Sequence, residues 1–339
     1  MNICYVFDES FSSPACVSIF SLLANNQDID EINFYIFDDG IEKQTKARLS
    51  EMIKKYNRMV RFIEVTNIVE KLKNMQVNPW RGRYSAYIKL MLVDFLPQNL
   101  QRIIVLDADT IIDGSIKELN EMNLNNHPCA MALEGVHNKY KKYTGLGENE
   151  LYNAGVIVID IEKWQEQRVE ERLLFHLKEI YAAYMLPEED PISIVLQKDV
   201  ERLNPKFNYI TIFYYYTTKR YFKRFQWDTL KGCFYTLKEL SIAKNDIRIY
   251  HCTDTFTNRP WNQNNIHPYT QKYDFYLKQT YLKNEKKKKL KMCFPQKAEY
   301  LLRKYLPVPC SKFMYYLAAR IYYTSNARVF YKNRATNNK

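Results

Sequence analysis

The sequence predicts an α/β fold, a parallel or mixed sheet flanked by helices on both faces, followed by a basic, mostly helical C-terminal tail. Three observations predict it. Short runs of branched apolar residues alternate with stretches of helical periodicity through residues 2–184, the pattern of strands joined by crossover helices. Asp8, Asp38, Asp39, Asp107 and Asp109 fall at the ends of the expected strands, where ligands of such sheets bind. Lys and Arg concentrate in residues 281–339, fifteen against the two acids Glu285 and Glu299.

In chain order, NICYVFD (2–8) is an unbroken apolar run that suits a buried strand. Residues 15–26 follow as a helix, and INFYIFDDG (32–40) as a second strand that ends in a turn. Ile41, Leu49, Met52, Ile53 and Tyr56 recur at helical spacing in 41–56, ahead of the strand MVRFIEV (59–65). A helix over 84–96 is stopped by Pro97, and RIIVLD (102–107) is again a strand. NAGVIVIDI (153–161) continues the pattern, with a long amphipathic helix expected near 162–184.

Composition narrows the function classes. With 46% hydrophobic and 15% aromatic residues, the chain can bury a sizeable core, which excludes global disorder. Asp8 and Glu9 stand where a signal peptide would be basic, and no apolar run approaches the ~20 residues of a membrane span. The cysteines Cys4, Cys16, Cys129, Cys233, Cys252, Cys293 and Cys310 are scattered and odd in number. That argues against a disulfide framework or structural zinc site and for the cytosolic side. The net charge of +12 suggests nucleic acid until it is located: residues 281–339 carry +13 and the rest about −1. The body is therefore no polybasic nucleic-acid binder. In the tail, Phe313, Leu317 and Ile321 share a helical stripe among basic residues, as in a surface-seeking amphipathic segment.

The chemistry centres on Asp107-Ala108-Asp109. Carboxylates at i and i+2 point to opposite faces of a strand, so they converge on one hard cation only where the chain bends off the strand end. Oxygen ligands suit Mg²⁺ or Mn²⁺, which also hold phosphates. His251, after IRIY (247–250), would favour Mn²⁺ as a third ligand, and Arg259 suits diphosphate oxygens. Asn153-Ala154-Gly155 before VIVID allows a close backbone approach to a ligand, or an ordinary turn. Glu188, Glu189 and Asp190 in LPEEDPISIVL fit helix-start chemistry, or a site that meets developing positive charge.

The ordered set (D-x-D after RIIVL, N-A-G before VIVID, an acidic cluster ending in Asp190, then His251 with Arg259-Pro-Trp) resembles the family 8 retaining glycosyltransferases. The nearest type is the bacterial lipopolysaccharide and lipooligosaccharide galactosyl- and glucosyltransferases. The resemblance covers residues 1–262, and residues 263–339 are similar to the family's basic, membrane-associating extension. It implies a GT-A catalytic domain (Rossmann-like, nucleotide-sugar-binding), a UDP-galactose or UDP-glucose donor, a glycan or glycolipid acceptor, and Mn²⁺, with Mg²⁺ as the second candidate. It also implies peripheral attachment to the inner face of the plasma membrane through the tail. By position, Asp107, Asp109 and His251 look like the metal ligands. Val6, Asp8 and Ser10 match the uracil and ribose segment, and Ala108, Glu134, Asn153, Ala154 and Gly155 match donor-site positions. Glu189 and Asp190 match the reacting centre.

Three departures stand out against this family. Lys89 in YIKL replaces an Arg, keeping the charge but losing the bidentate fork. Arg259 stands for the usual Lys, two residues further from His251 than in the lipooligosaccharide enzymes. Glu189 stands where Gln is common, which opens a covalent intermediate. A metal-dependent nucleotidyltransferase would need a glycine- or base-rich phosphate loop, and VFDESFSS has neither. A catalytically impaired, membrane-associated sugar-binding protein is the remaining alternative.

Overall fold

The structure, a computed structural model, describes residues 1–79, 84–135, 140–141, 144–179, 186–216, 234–253 and 258–289, with scattered positions between 297 and 325. The chain begins β1 (Asn2–Phe7), α1 (Ser12–Asn25), β2 (Asn33–Asp38), α2 (Lys43–Lys54), β3 (Met59–Glu64) and α3 (Thr66–Asn74). After α4 (Ser85–Ile88) come β4 (Arg102–Leu106), β5 (Thr110–Ile112), α5 (Lys117–Glu121), β6 (Cys129–Leu133), β7 (Tyr152–Asp160), α6 (Ile161–Glu166) and α7 (Val169–Glu179). The described remainder is α8 (Glu189–Leu196), β8 (Val200–Arg202), β9 (Tyr209–Ile210), α9 (Thr211–Tyr216), α10 (Leu237–Lys244), β10 (Ile249–His251) and α11 (Thr270–Leu277).

Seven strands form a mixed sheet in the order β3-β2-β1-β4-β7-β6-β8. β1 pairs in parallel with both β2 and β4, whereas β7 runs antiparallel to β4 and β6. The chain steps outward from β1 to β2 and β3, then returns to β4 on the other side. That reversal makes the carboxyl ends of β1 and β4 the switch point of the sheet, the usual ligand position in such folds. β4 is buried on both faces, which is why it reads as a continuous apolar run. A second sheet, β5-β10-β9, branches off where β4 ends. α1 packs against β5, α2 and α11, and its residues Pro14–Leu23 are buried on every side.

Several expectations are corrected. The helix expected over 84–96 is only α4, continued by two 3₁₀ turns, Lys89–Met91 and Val93–Phe95. Lys89 lies in the first turn with its side chain buried against Asp107, so tertiary pairing overrides helical continuity. The long helix expected near 162–184 is broken into α6 and α7 at Arg168, whose φ of 51° no α-helix accommodates; residues 180–185 lie outside the described residues. Asp38, expected at a ligand-binding strand end, instead caps its own turn. It accepts from Gly40 N (3.0 Å) and Ile41 N (2.6 Å) and pairs with Lys46 at 2.6 Å.

Packing also continues across the expected boundary at 262. Tyr273, Tyr276 and Leu277 of α11 are buried, Lys287 pairs with Asp274, and Gln263 N donates to Lys288 O. Cys4, Cys16, Cys129 and Cys252 are free and buried and Cys310 is free and exposed, while Cys233 and Cys293 lie outside the described residues.

A buried acid in this body makes stability pH-dependent. Glu170 of α7 accepts from Val93 N at 2.8 Å, and burial, with Asp94 alongside, pushes its pKa up to about 8. The folded value exceeds the unfolded one. The stability this group contributes is therefore complete below about pH 4.5 and is lost as pH rises through about 8. Glu170→Gln keeps the acceptor and removes the ionisation. It is expected to stabilise the chain by about 2–4 kcal/mol at pH 9 and by nothing at pH 4, read by urea unfolding at the two pH values.

Candidate functional site

The chain leaves β4 at Leu106, turns through Asp107, Ala108 and Asp109, and enters β5 at Thr110. The backbone of each aspartate is tied to a different sheet. Asp107 N donates to Gly155 O of β7 (2.9 Å), and Asp109 O accepts from Cys252 N beyond β10 (2.9 Å). A buried hydroxyl chain locks the turn from beneath: Thr110 Oγ1 donates to Asp107 O (2.8 Å), Ser18 Oγ lies 2.8 Å from Thr110 Oγ1, and Tyr5 Oη lies 2.9 Å from Ser18 Oγ. Asp107 and Asp109 are thereby bent onto one side.

His251, the last residue of β10, pairs with Thr110 across the ladder and completes the cluster. Its Nε2 lies 3.1 Å from Asp109 Oδ1 and 3.5 Å from Asp107 Oδ2. One ligand atom from each of Asp107, Asp109 and His251 falls within 4.8 Å of the others. Two carboxylate oxygens and one imidazole nitrogen, gathered this closely and largely buried, fit a divalent cation.

Cations of the chain surround these acids. Lys89, 4% exposed, contacts Asp107 and lies 2.8 Å from Glu188 Oε2 and 3.5 Å from Ala154 O. Burial opposes its charge, but Asp107 and Glu188 outweigh that and hold its pKa above the ordinary lysine value. Arg259 contacts Asp109 and donates to Cys252 O. Burial pushes the Asp109 carboxyl up, yet His251 and Arg259 hold it well below the usual carboxylate range. Burial likewise opposes charge on His251, and Asp109 and Asp107 raise its pKa overall.

On the far side of the imidazole, Asn153 Nδ2 donates to Glu134 Oε2 at 2.6 Å, and burial pushes Glu134 up to about 7. Gly155 makes a close approach, but to the protein itself. A Cβ there would lie 2.1 Å from His251 Cε1, so the glycine makes room for the ring. Glu189 is partly exposed, and burial, with Glu188 beside it, raises its pKa well above the ordinary value. Asp190 is fully buried and accepts from Tyr140 Oη (2.9 and 2.8 Å) and Leu186 N (3.2 Å).

The expected site residues thus divide. Lys89, Asp107, Ala108, Asp109, Glu134, Asn153, Ala154, Gly155, His251 and Arg259 gather around one cluster, with Glu189 at its edge. Val6 lies near the end of β1, and Asp8 and Ser10 follow it at the same end of the sheet, where Asp8 Oδ1 accepts from Ser10 N at 2.9 Å and caps a 3₁₀ turn, Glu9–Phe11. Asp190 is turned into the body of the protein. Two residues are additions. Glu188 was visible only as one of three crowded acids, and Asn208 carries no local signal.

A mixed sheet with a carboxylate–imidazole cluster at its switch point defines a GT-A glycosyltransferase. The fold is that of the galactosyltransferase LgtC in complex with donor and acceptor sugar analogs, at a TM-score of 0.66 and 18% identity over 83% of this chain and 96% of that one. The chain belongs to glycosyltransferase family 8: the family model "Glycosyl transferase family 8" matches residues 2–230. General stress protein A of Bacillus subtilis is 25% identical over 288 residues, covering 83% of this chain and 94% of that protein. A lipopolysaccharide 1,2-glucosyltransferase of Escherichia coli is 28% identical over 229 residues, 66% of this chain and 65% of that protein. The lipopolysaccharide 1,3-galactosyltransferase of Salmonella typhimurium is 27% identical over 218 residues, covering 61% of this chain and 63% of that protein.

Proposed function

We propose that this chain is a retaining hexosyltransferase that moves galactose or glucose from a UDP-sugar to a saccharide acceptor in the synthesis of a cell-surface glycan such as lipopolysaccharide. The observation that carries this reading is the Asp107–Asp109–His251 cluster at the switch point of a family 8 chain. Mn²⁺ suits the mixed oxygen and nitrogen donors better than Mg²⁺. Bound there, the cation would hold the donor diphosphate and act as a Lewis acid for the departing UDP. Arg259, which contacts Asp109, would neutralise diphosphate oxygens, and Val6, Asp8 and Ser10 would meet uracil and ribose.

Glu189 and Asp190 divide the remaining work. Asp190 spends its oxygens on Tyr140 and Leu186, whereas Glu189 is only partly buried, so Glu189 is the acid given the oxocarbenium-like centre. Mn²⁺-dependent hydrolysis of UDP-galactose or UDP-glucose tests the whole assignment; no hydrolysis of either with Mn²⁺ or Mg²⁺ overturns it. Glu189→Gln is expected to lower kcat about 10²–10³-fold with little change in KM, because the charge it opposes exists only in the transition state. A rise in KM alone would make it a binding residue.

The tail is assigned to an anionic membrane surface, which would place the enzyme peripherally on the cytoplasmic face. Leu301, Tyr305, Phe313, Leu317 and Ile321 are all exposed, Tyr305 at 74%, and each nearby Lys or Arg adds about 1 kcal/mol at such a surface. Among the described residues no helix is long and apolar enough to cross a membrane. Since packing against the body continues through Lys288, the informative truncation ends at Lys289. That variant is expected to keep UDP-sugar hydrolysis and lose co-sedimentation with phosphatidylserine vesicles; undiminished vesicle binding would overturn the anchor.

A further inference from the structure

The imidazole of His251 is held by two buried amides whose orientations are set from one end. Asn153 Nδ2 faces a carboxylate oxygen of Glu134 at 2.6 Å, so this nitrogen donates and Asn153 Oδ1 is turned inward. There Oδ1 accepts from Gly155 N (3.0 Å) and from Asn208 Nδ2 (2.7 Å), and lies 3.1 Å from His251 Nδ1. With Nδ2 of Asn208 committed to Asn153, the other end of its amide, Oδ1, faces His251 Nδ1 at 3.0 Å. Two amide oxygens therefore meet Nδ1, so Nδ1 carries the proton. The neutral ring then presents its lone pair on Nε2, the nitrogen that faces Asp109 and Asp107.

We infer that Asn208 is a positioning residue that selects Nε2 as the ligating atom of His251. It is fully buried, and it directly precedes β9, which pairs Ile210 with His251. The strand that braces the histidine thus also delivers the group that orients it. Outer partners of this kind fix both tautomer and ring angle, and their loss costs about 10–100-fold in metal affinity. The inference rests on the metal reading above, and the test separates the two.

The full chain, labelled with ¹⁵N-histidine, is examined by NMR with Zn²⁺ as a diamagnetic probe, and Mn²⁺ affinity is measured by electron paramagnetic resonance. The wild type is expected to keep its Nδ1 proton while Nε2 binds the ion. Asn208→Leu, close in volume but without hydrogen bonds, is expected to bind Mn²⁺ 10–100-fold more weakly and to show a second His251 signal set with the proton on Nε2. Asn208→Asp loses the donor to Asn153 Oδ1 but retains an acceptor for Nδ1, and it is expected to keep the proton on Nδ1. A wild type that binds the ion through Nδ1, or a Leu variant with unchanged affinity and nitrogen pattern, would overturn the inference. If the wild type binds neither ion, the metal reading falls. The metal-free spectrum, recorded at a pH high enough to leave the ring neutral, then still decides the tautomer, and a ring protonated on Nε2 overturns the role of Asn208.

Discussion

Asp109→Asn is expected to abolish metal-dependent sugar transfer, by at least ~10³-fold, while leaving the fold intact. Asp109 supplies one of only two anionic oxygens in the cluster and lies 3.1 Å from the third donor. An amide in its place removes a unit of negative charge where a divalent cation needs it most. The several kcal/mol of charge stabilisation lost with the ion corresponds to three or more powers of ten in rate. The fold tolerates the change because Arg259, the cation left without its carboxylate, keeps its bond to Cys252 O and has a side chain 26% exposed to water. Turnover with saturating Mn²⁺ and thermal unfolding without it are the two measurements. Full activity in this variant, or in excess chelator, would remove Asp109 from the metal site.

Gly155→Ala is expected to be as damaging to turnover and to cost stability as well. The added Cβ would lie 2.1 Å from Cε1 and 2.2 Å from Nδ1 of His251, far inside van der Waals contact. Strand β7 cannot retreat, because it is laddered between β4 and β6 and Gly155 O accepts from Asp107 N. The ring must move instead, breaking its bonds to Asn153 and Asn208 and withdrawing Nε2 from the carboxylates. Overpacking a dense site in this way costs about 1–3 kcal/mol. The expected outcome is Mn²⁺ affinity down by at least 10-fold together with a lowered denaturation midpoint. An alanine variant that binds Mn²⁺ normally would show that the ring has room to adjust.

The strands that position the site were readable because burial on both faces leaves an unmistakable apolar run: β1, β2, β4 and β7 were all placed within a residue or two. The short strands β5, β8 and β9 carry two or three residues each, too few for any period to show, whereas IRIY (247–250) reads as strand-like and overlaps β10. The break at Arg168 has no glycine or proline to announce it, and the end of helical order at Lys89 follows from an ion pair with a residue eighteen positions away. Within the site, the D-x-D pair and His251 could be picked out because their chemistry is uncommon at strand ends. Asn208 could not, since one Asn in PKFNYI looks like any turn residue and its partner lies 43 positions along the chain. The same distance effect gave Gly155 a ligand-facing reading, when the group that requires the glycine is His251.

The turn at Asp107–Asp109 is also where two separately laddered sheets part company. Asp107 is fastened to the seven-stranded sheet, Asp109 and His251 to the three-stranded one. An ion shared by the three is then a cross-link that exists only in the folded chain. By mass action, free ion at 100 times its dissociation constant adds about 2.7 kcal/mol to folding, a large share of the roughly 5–15 kcal/mol that separates folded from unfolded domains. Scarcity of such an ion would therefore thin the population of folded chain as well as slow each molecule.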